Sequence, residues 1–235
     1  MKAAFLLGLL GLVLAAEPRL GRKRQLFNGK NLDGFYTYLR EQGRDRDPNQ
    51  VFRVDKGAVH VSGTEYGYFA TRDEFDNYYL RVEFKWGEKT HPPRDGKARD
   101  SGVLFHTTGE DKVWPRSIEF QMIEGGTGDI ILVGGTTVGK AAGEVWGKNR
   151  WKRLSKGEWK DVAGYRDPGR ELEKPFGQWN RLELWAEGDR FRYHVNGVLA
   201  NEGSGASDRR GRIVFQSEGA ELFFRKIELR PIASR

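Results

Sequence analysis

Residues 100–135 read DSGVLFHTTGEDKVWPRSIEFQMIEGGTGDIILVGG. At a period of two they give a strand, a turn-rich excursion, a second strand, a turn and a third strand. Side chains alternate across a strand, so Val103 and Phe105 share one face of the first strand and Leu104 and His106 the other. In the second strand Ile118, Phe120 and Met122 lie opposite Ser117, Glu119 and Gln121. One apolar face backed by ionisable and amide groups is the pattern of an antiparallel sheet packed on its core with its other face wet. Such a wet face is where an all-β domain binds or transforms a ligand.

Working outward, strand patterns follow one another almost without helix. Residues 25–39 hold a turn and an aromatic-rich strand, and 51–61 a hairpin about Asp55-Lys56-Gly57. Residues 78–86 alternate strictly, with Tyr78, Leu80, Val82, Phe84 and Trp86 set against Tyr79, Arg81, Glu83 and Lys85. Two more runs, 179–187 and 190–195, precede Asn196-Gly197, a type I′ turn signal leading into 198–200. The chain closes with strands at 212–216 and 222–229. Two segments resist assignment: the charged Pro/Gly run 87–99, and 140–174, which carries Trp146, Trp151 and Trp159. Short strands, Gly-rich turns and one continuous core predict an all-β, concanavalin-like jelly-roll sandwich of two antiparallel sheets.

Composition narrows the function classes. Residues 1–16, MKAAFLLGLLGLVLAA, have the lysine, apolar run and small terminal residues of a secretory signal peptide. Cleavage after Ala15 or Ala16 would leave 17–235 as one secreted or periplasmic domain, with no membrane span. The 235 residues contain no cysteine. That excludes disulfides, thiolate catalysis, iron–sulfur clusters and cysteine zinc sites. The formal charge of +7 favours acidic partners, yet both signs are interspersed and no arginine stripe with aromatics points to nucleic acid.

Glu119 and Gln121 are neighbours roughly 6.5–7 Å apart on the polar face of their strand. Glu124 rejoins that face if a bulge precedes Gly125-Gly126. Two carboxylates across one amide suit general acid–base work on a sugar-sized substrate. His106, expected beside Glu119, is a candidate base, ligand anchor or metal ligand. There is no HExxH spacing, but a divalent metal carried by His106 and carboxylates stays open; no other cofactor is indicated. In Trp114-Pro115-Arg116 the indole offers a flat face to a sugar, and the guanidinium can stabilise an oxyanion. Asp100 adds a charge at the start of the first strand. Read without function, these residues would be a solvent-facing strand edge and a loop plugging the rim.

The runs SGVLFH and VWPRSIEFQMIEGGTGDIILVGG are similar to the core of the 3-keto-disaccharide hydrolase family. LFNGKNLDGF (26–35), WNRLELWAEGDRFRYHVNGVLANEG (179–203) and IVFQSEGAELFFRKIELRPI (213–232) extend the resemblance over residues 25–231. The family pattern has asparagine where this chain has Asp100. The resemblance implies a secreted jelly roll acting on glycosides already oxidised at C3. A ketone at C3 acidifies the C2 proton, so a base can form an enolate, the C1 substituent leaves, and water adds back. On this reading Glu119 or His106 is the base, Arg116 stabilises the enolate, Glu124 is the acid and Gln121 orients a hydroxyl; Asp100, Trp114 and Trp146 contact the substrate. The alternative is a non-catalytic carbohydrate-binding module whose affinity rests on Trp114, Trp146 or Trp151.

Overall fold

The computed structural model describes residues 18–233, among which seventeen strands and no helix occur. No helix among them is therefore long and apolar enough to cross a membrane. The leader expected at 1–16 lies outside the described residues.

The strands form two antiparallel sheets. In the front sheet, β12 (Arg150–Trp151), β10 (Ile130–Val133), β9 (Arg116–Ile123) and β8 (Asp100–Thr108) lead to β16 (Arg212–Ser217). From there it runs through β6 (Gly67–Thr71) and β2 (Phe35–Leu39) to β3 (Gly43–Arg44). The back sheet begins with β11 (Lys140–Ala141), β15 (Val198–Ser204), β14 (Arg190–Val195) and β13 (Asn180–Glu187). It continues with β7 (Tyr78–Thr90), β17 (Ala220–Pro231), β5 (Ala58–Val61) and β4 (Phe52–Asp55), and β1 (Arg24–Gln25) pairs with β17. Chain neighbours such as β16 and β17 lie in opposite sheets, as expected of a jelly roll.

Period-two alternation places the core. Val103, Phe105, Ile118, Phe120, Met122 and Phe215 from the front sheet meet Leu80, Val82, Phe84, Leu182, Leu184 and Phe224 from the back, all buried in one cluster. Phe120 and Tyr193 stack across the two sheets, with ring centroids 4.1 Å apart and planes 2° from parallel. Tyr193 Oη also donates to the carbonyl of Glu119 at 3.2 Å, tying the strand that carries Glu119 to the opposite sheet. The hairpin turn at Lys56-Gly57 and the turn at Asn196-Gly197 form as read, each pair at positive φ. The face of β9 read as wet is not: Ser117, Glu119 and Gln121 are buried. The excursion between β8 and β9 folds over the front sheet, where Tyr36 and Tyr68 both donate to Asp111 at 2.7 Å. Trp114 packs on the small outer cluster of Tyr36, Tyr68, Ala70, Leu104 and Val214.

Candidate active site

The outer face of the front sheet is indented into a cleft of about 390 Å³, lined by Asp100, Trp114, Glu119, Gln121, Arg150 and Glu218 among others. Register decides what shares its floor. Leu104 pairs with Glu119, Gly102 with Gln121, and Val214 with Leu104, so Gln216 falls beside Gly102. A Cβ at Gly102 would collide with Gln216 Oε1 and stand 2.5 Å from Glu119 Oε1. The glycine thus makes the space in which the two side chains approach one another.

Glu119 is 4% exposed, and among the described residues its carboxyl makes no hydrogen bond. Burial pushes its pKa well above the ordinary carboxylate range, Glu218 raises it further and Arg150 opposes both. Burial likewise raises Glu218 to about 7 against the pull of Arg94 and Arg40. Two carboxyls raised above the ordinary carboxylate range therefore share one cleft. Asp100 is bound on one oxygen by the Arg94 guanidinium, and its other oxygen accepts from Gln121 Nε2 at 2.7 Å. Since an ionised carboxylate only accepts, this bond fixes the amide of Gln121 and leaves its Oε1 buried with no partner among the described residues. Both amide atoms of Gln216 are in the same condition. Buried polar groups without partners carry a free-energy cost and call for explanation; groups that await a substrate's hydroxyls supply one.

Arg150 reaches the cleft from the two-residue edge strand β12, held by Asp129 at 2.7 Å and stacked 4.5 Å from the centroid of Trp146. Trp114 walls the other side, tilted against Tyr66 at 6.2 Å. Of the residues singled out from sequence, Glu119, Gln121, Asp100 and Trp114 come together. Trp146 stands behind Arg150, outside the lining. His106 does not join them. The register slips between Phe105 and Thr108, and His106 occupies the bulge at φ 51°. Its ring turns edge-on to Tyr78 at 5.8 Å and Phe105 at 5.0 Å. Nδ1 donates to the Asp208 carbonyl at 3.0 Å. Burial lowers the pKa to about 4 against the Asp208 carbonyl and neighbouring carboxylates, so the ring is neutral.

Glu124 is likewise elsewhere, clamped by Arg99 at 2.9 Å and by the amides of Arg99 and Gly164 at 3.2 and 3.0 Å. Arg116 is spent on Asp208, at 2.9 Å. Among the described residues no group of three or more histidine, aspartate or glutamate side chains is arranged to hold a metal. With His106 turned away from the carboxyls, the divalent-ion alternative does not fit this cleft. Sequence reasoning passed over Glu218, Gln216 and Arg150. The first two share the parity of Val214 and were open to the period-two argument, whereas Arg150 sits in a segment with no periodicity at all.

The family model of the 3-keto-alpha-glucoside-1,2-lyase-like domain matches residues 22–230. The chain belongs to this family. It is the family whose motifs the sequence resembles, and it places this lyase-like domain among carbohydrate-active jelly-roll proteins. No curated protein matches the chain. Among solved structures, the lyase-like domain is similar to a candidate glycosyl hydrolase from Parabacteroides distasonis, at 18% identity, 90% of this chain, 94% of that one and a TM-score of 0.59. It is also similar to the carbohydrate binding module CBM66 from Bacillus subtilis, at 11% identity, 83% and 94% coverage and a TM-score of 0.52. A laminarinase from Flavobacterium sp. UMI-01 gives 10%, 92%, 100% and 0.52. At these identities the likeness is one of fold, which by itself does not assign chemistry.

Proposed function

We propose that the protein cleaves glycosides carrying a ketone at C3, by elimination followed by hydration. The observation that carries this reading is Glu119: a buried carboxyl, raised in pKa, on the floor of a sugar-sized cleft beside a second raised carboxyl. A base of raised pKa removes a carbon-bound proton more effectively than an ordinary carboxylate. Glu119 takes the C2 proton, and the electron pair moves into the C3 oxygen, which Arg150 and the side-chain amides stabilise. Collapse of the enolate breaks the C1–O bond, and protonated Glu218 delivers its proton to the departing oxygen. Water then adds its hydroxyl to C1 and gives its remaining proton to Glu218, while C2 recovers a proton from Glu119; both carboxyls return to their starting states and the sum is hydrolysis. The roles first assigned to Arg116 and Glu124 pass to Arg150 and Glu218, which face the cleft. Export through the leader at 1–16 belongs to the same proposal, tested by the N-terminus of the protein recovered from periplasm or medium.

The deciding experiment offers matched glucosides with and without the C3 ketone to the protein and to Glu119→Gln. Turnover confined to the keto forms and lost by about 10²–10⁴-fold in the variant supports the reading. Turnover of the unoxidised sugars overturns it in favour of ordinary glycoside hydrolysis. Saturable binding without product overturns it in favour of a carbohydrate-binding module.

A further inference from the structure

The back sheet carries a second feature that the cleft chemistry does not use. On its outer face, about 300 Å³ of groove is lined by Arg81, Glu83, Lys174, Trp179, Arg181 and Arg225 among others. Four cations therefore stand around Glu83, with Glu183 paired to Arg181 at 3.0 Å alongside. Arg181 on β13 and Arg225 on β17 each pair in register with Glu83 on β7, so the two arginines stand two strand spacings apart, about 9–10 Å. Glu83 is already saturated, with Arg81, Arg225 and Lys226 at 3.0, 2.8 and 3.1 Å. Lys174 makes no ion pair among the described residues, and Arg81 Nε is buried without a partner among them. Trp179 holds Arg225 at 3.9 Å and Lys85 at 5.4 Å from its ring centroid. Stacking of this kind orients cationic heads before any ligand arrives.

We propose that this groove binds an acidic polysaccharide. Cations spread over three strands and a loop match a chain bearing repeated sulfate or carboxylate groups, whereas a single small anion would engage one or two of them. Guanidinium groups suit those anions through paired, weakly hydrated donors. The groove lies on the opposite sheet from the cleft. A polymer held there would tether the protein where its substrates are released and raise their effective concentration. The assignment rests on the back sheet alone and stands or falls apart from the cleft chemistry.

The test measures binding of the full chain to dextran sulfate, to uncharged dextran of the same length and to phosphatidylserine vesicles. Two double variants of equal charge change are compared, Lys174→Gln with Arg181→Gln, and Arg209→Gln with Arg210→Gln; the latter pair is exposed and lies outside the groove. Expected is salt-sensitive binding of dextran sulfate that falls at least tenfold in the groove variant and holds in the other. An unchanged melting transition shows that the groove variant is folded. Equal losses in both variants, no loss in the groove variant, equal binding of uncharged dextran, or binding to the vesicles alone would each overturn the proposal.

Discussion

At the scale of single residues, the cleft is governed by which groups keep their protons. Burial and the charge of Glu218 both hold the proton on Glu119. Glu218→Gln removes the second effect and leaves the first. The pH at which Glu119 ionises then falls but stays above that of an exposed carboxyl. The acid limb of the kcat/KM profile should move to lower pH. The alkaline limb, set in the wild type by the second ionisation of the pair, should vanish, and the rate should fall by about 10²–10⁴-fold. Because two coupled carboxyls titrate as a pair, it is the comparison of the two profiles that reads the coupling. Asp100 acts one step away. As an acceptor it compels Gln121 to offer its own oxygen to the cleft. Asparagine at position 100 can donate instead, which frees the Gln121 amide to turn. Asp100→Asn is therefore expected to raise KM by about tenfold, the worth of roughly one hydrogen bond, with little change in kcat; steady-state kinetics check the split.

At the scale of elements, the β8 bulge and the segment between β10 and β13 separate what was readable from what was not. Strict alternation put Leu104 and His106 on one face, and one extra residue in the ladder is enough to turn His106 elsewhere. The segment 140–174 is fastened by buried pairs rather than by periodicity. Arg153 meets Asp167, and Lys156 meets Asp129, both at 2.7 Å. Glu173 accepts from Trp86 Nε1 at 2.9 Å and Thr127 Oγ1 at 2.6 Å. Burial raises the Glu173 pKa to about 7 against those two bonds. Between about 4.5 and 7 the folded protein thus binds a proton that the unfolded chain has lost. Its contribution to stability is fully present below 4.5 and is lost as pH rises through 7. Glu173→Gln, a neutral mimic of the protonated acid, should match the wild type near pH 4.5 and exceed it at pH 8; urea midpoints at the two pH values read the crossing.

At the scale of the whole molecule, the two sheets are one cooperative core whose tightest seam lies beneath the candidate base. Phe120 stacks on Tyr193, one residue from Glu119, and its truncation leaves a void that the flanking strands cannot close. Phe120→Ala should cost about 3–5 kcal/mol, seen as a lower urea midpoint, and should impair turnover through loss of the Tyr193 bond to the Glu119 carbonyl. Local alternation and turn chemistry determined the strands, the hairpin and the Asn-Gly turn, the all-β class, and the neighbourhood of Glu119 and Gln121. Those follow from the residue itself and its nearest neighbours along the chain. Which residues complete the cleft was decided only by tertiary structure. Glu218 comes from the turn just past β16, Arg150 from a segment without period, and the departure of His106 from a bulge. Each depends on pairing between strands far apart in sequence, and the burial that raises the Glu119 and Glu218 carboxyls exists only once the two sheets and their loops have closed over them.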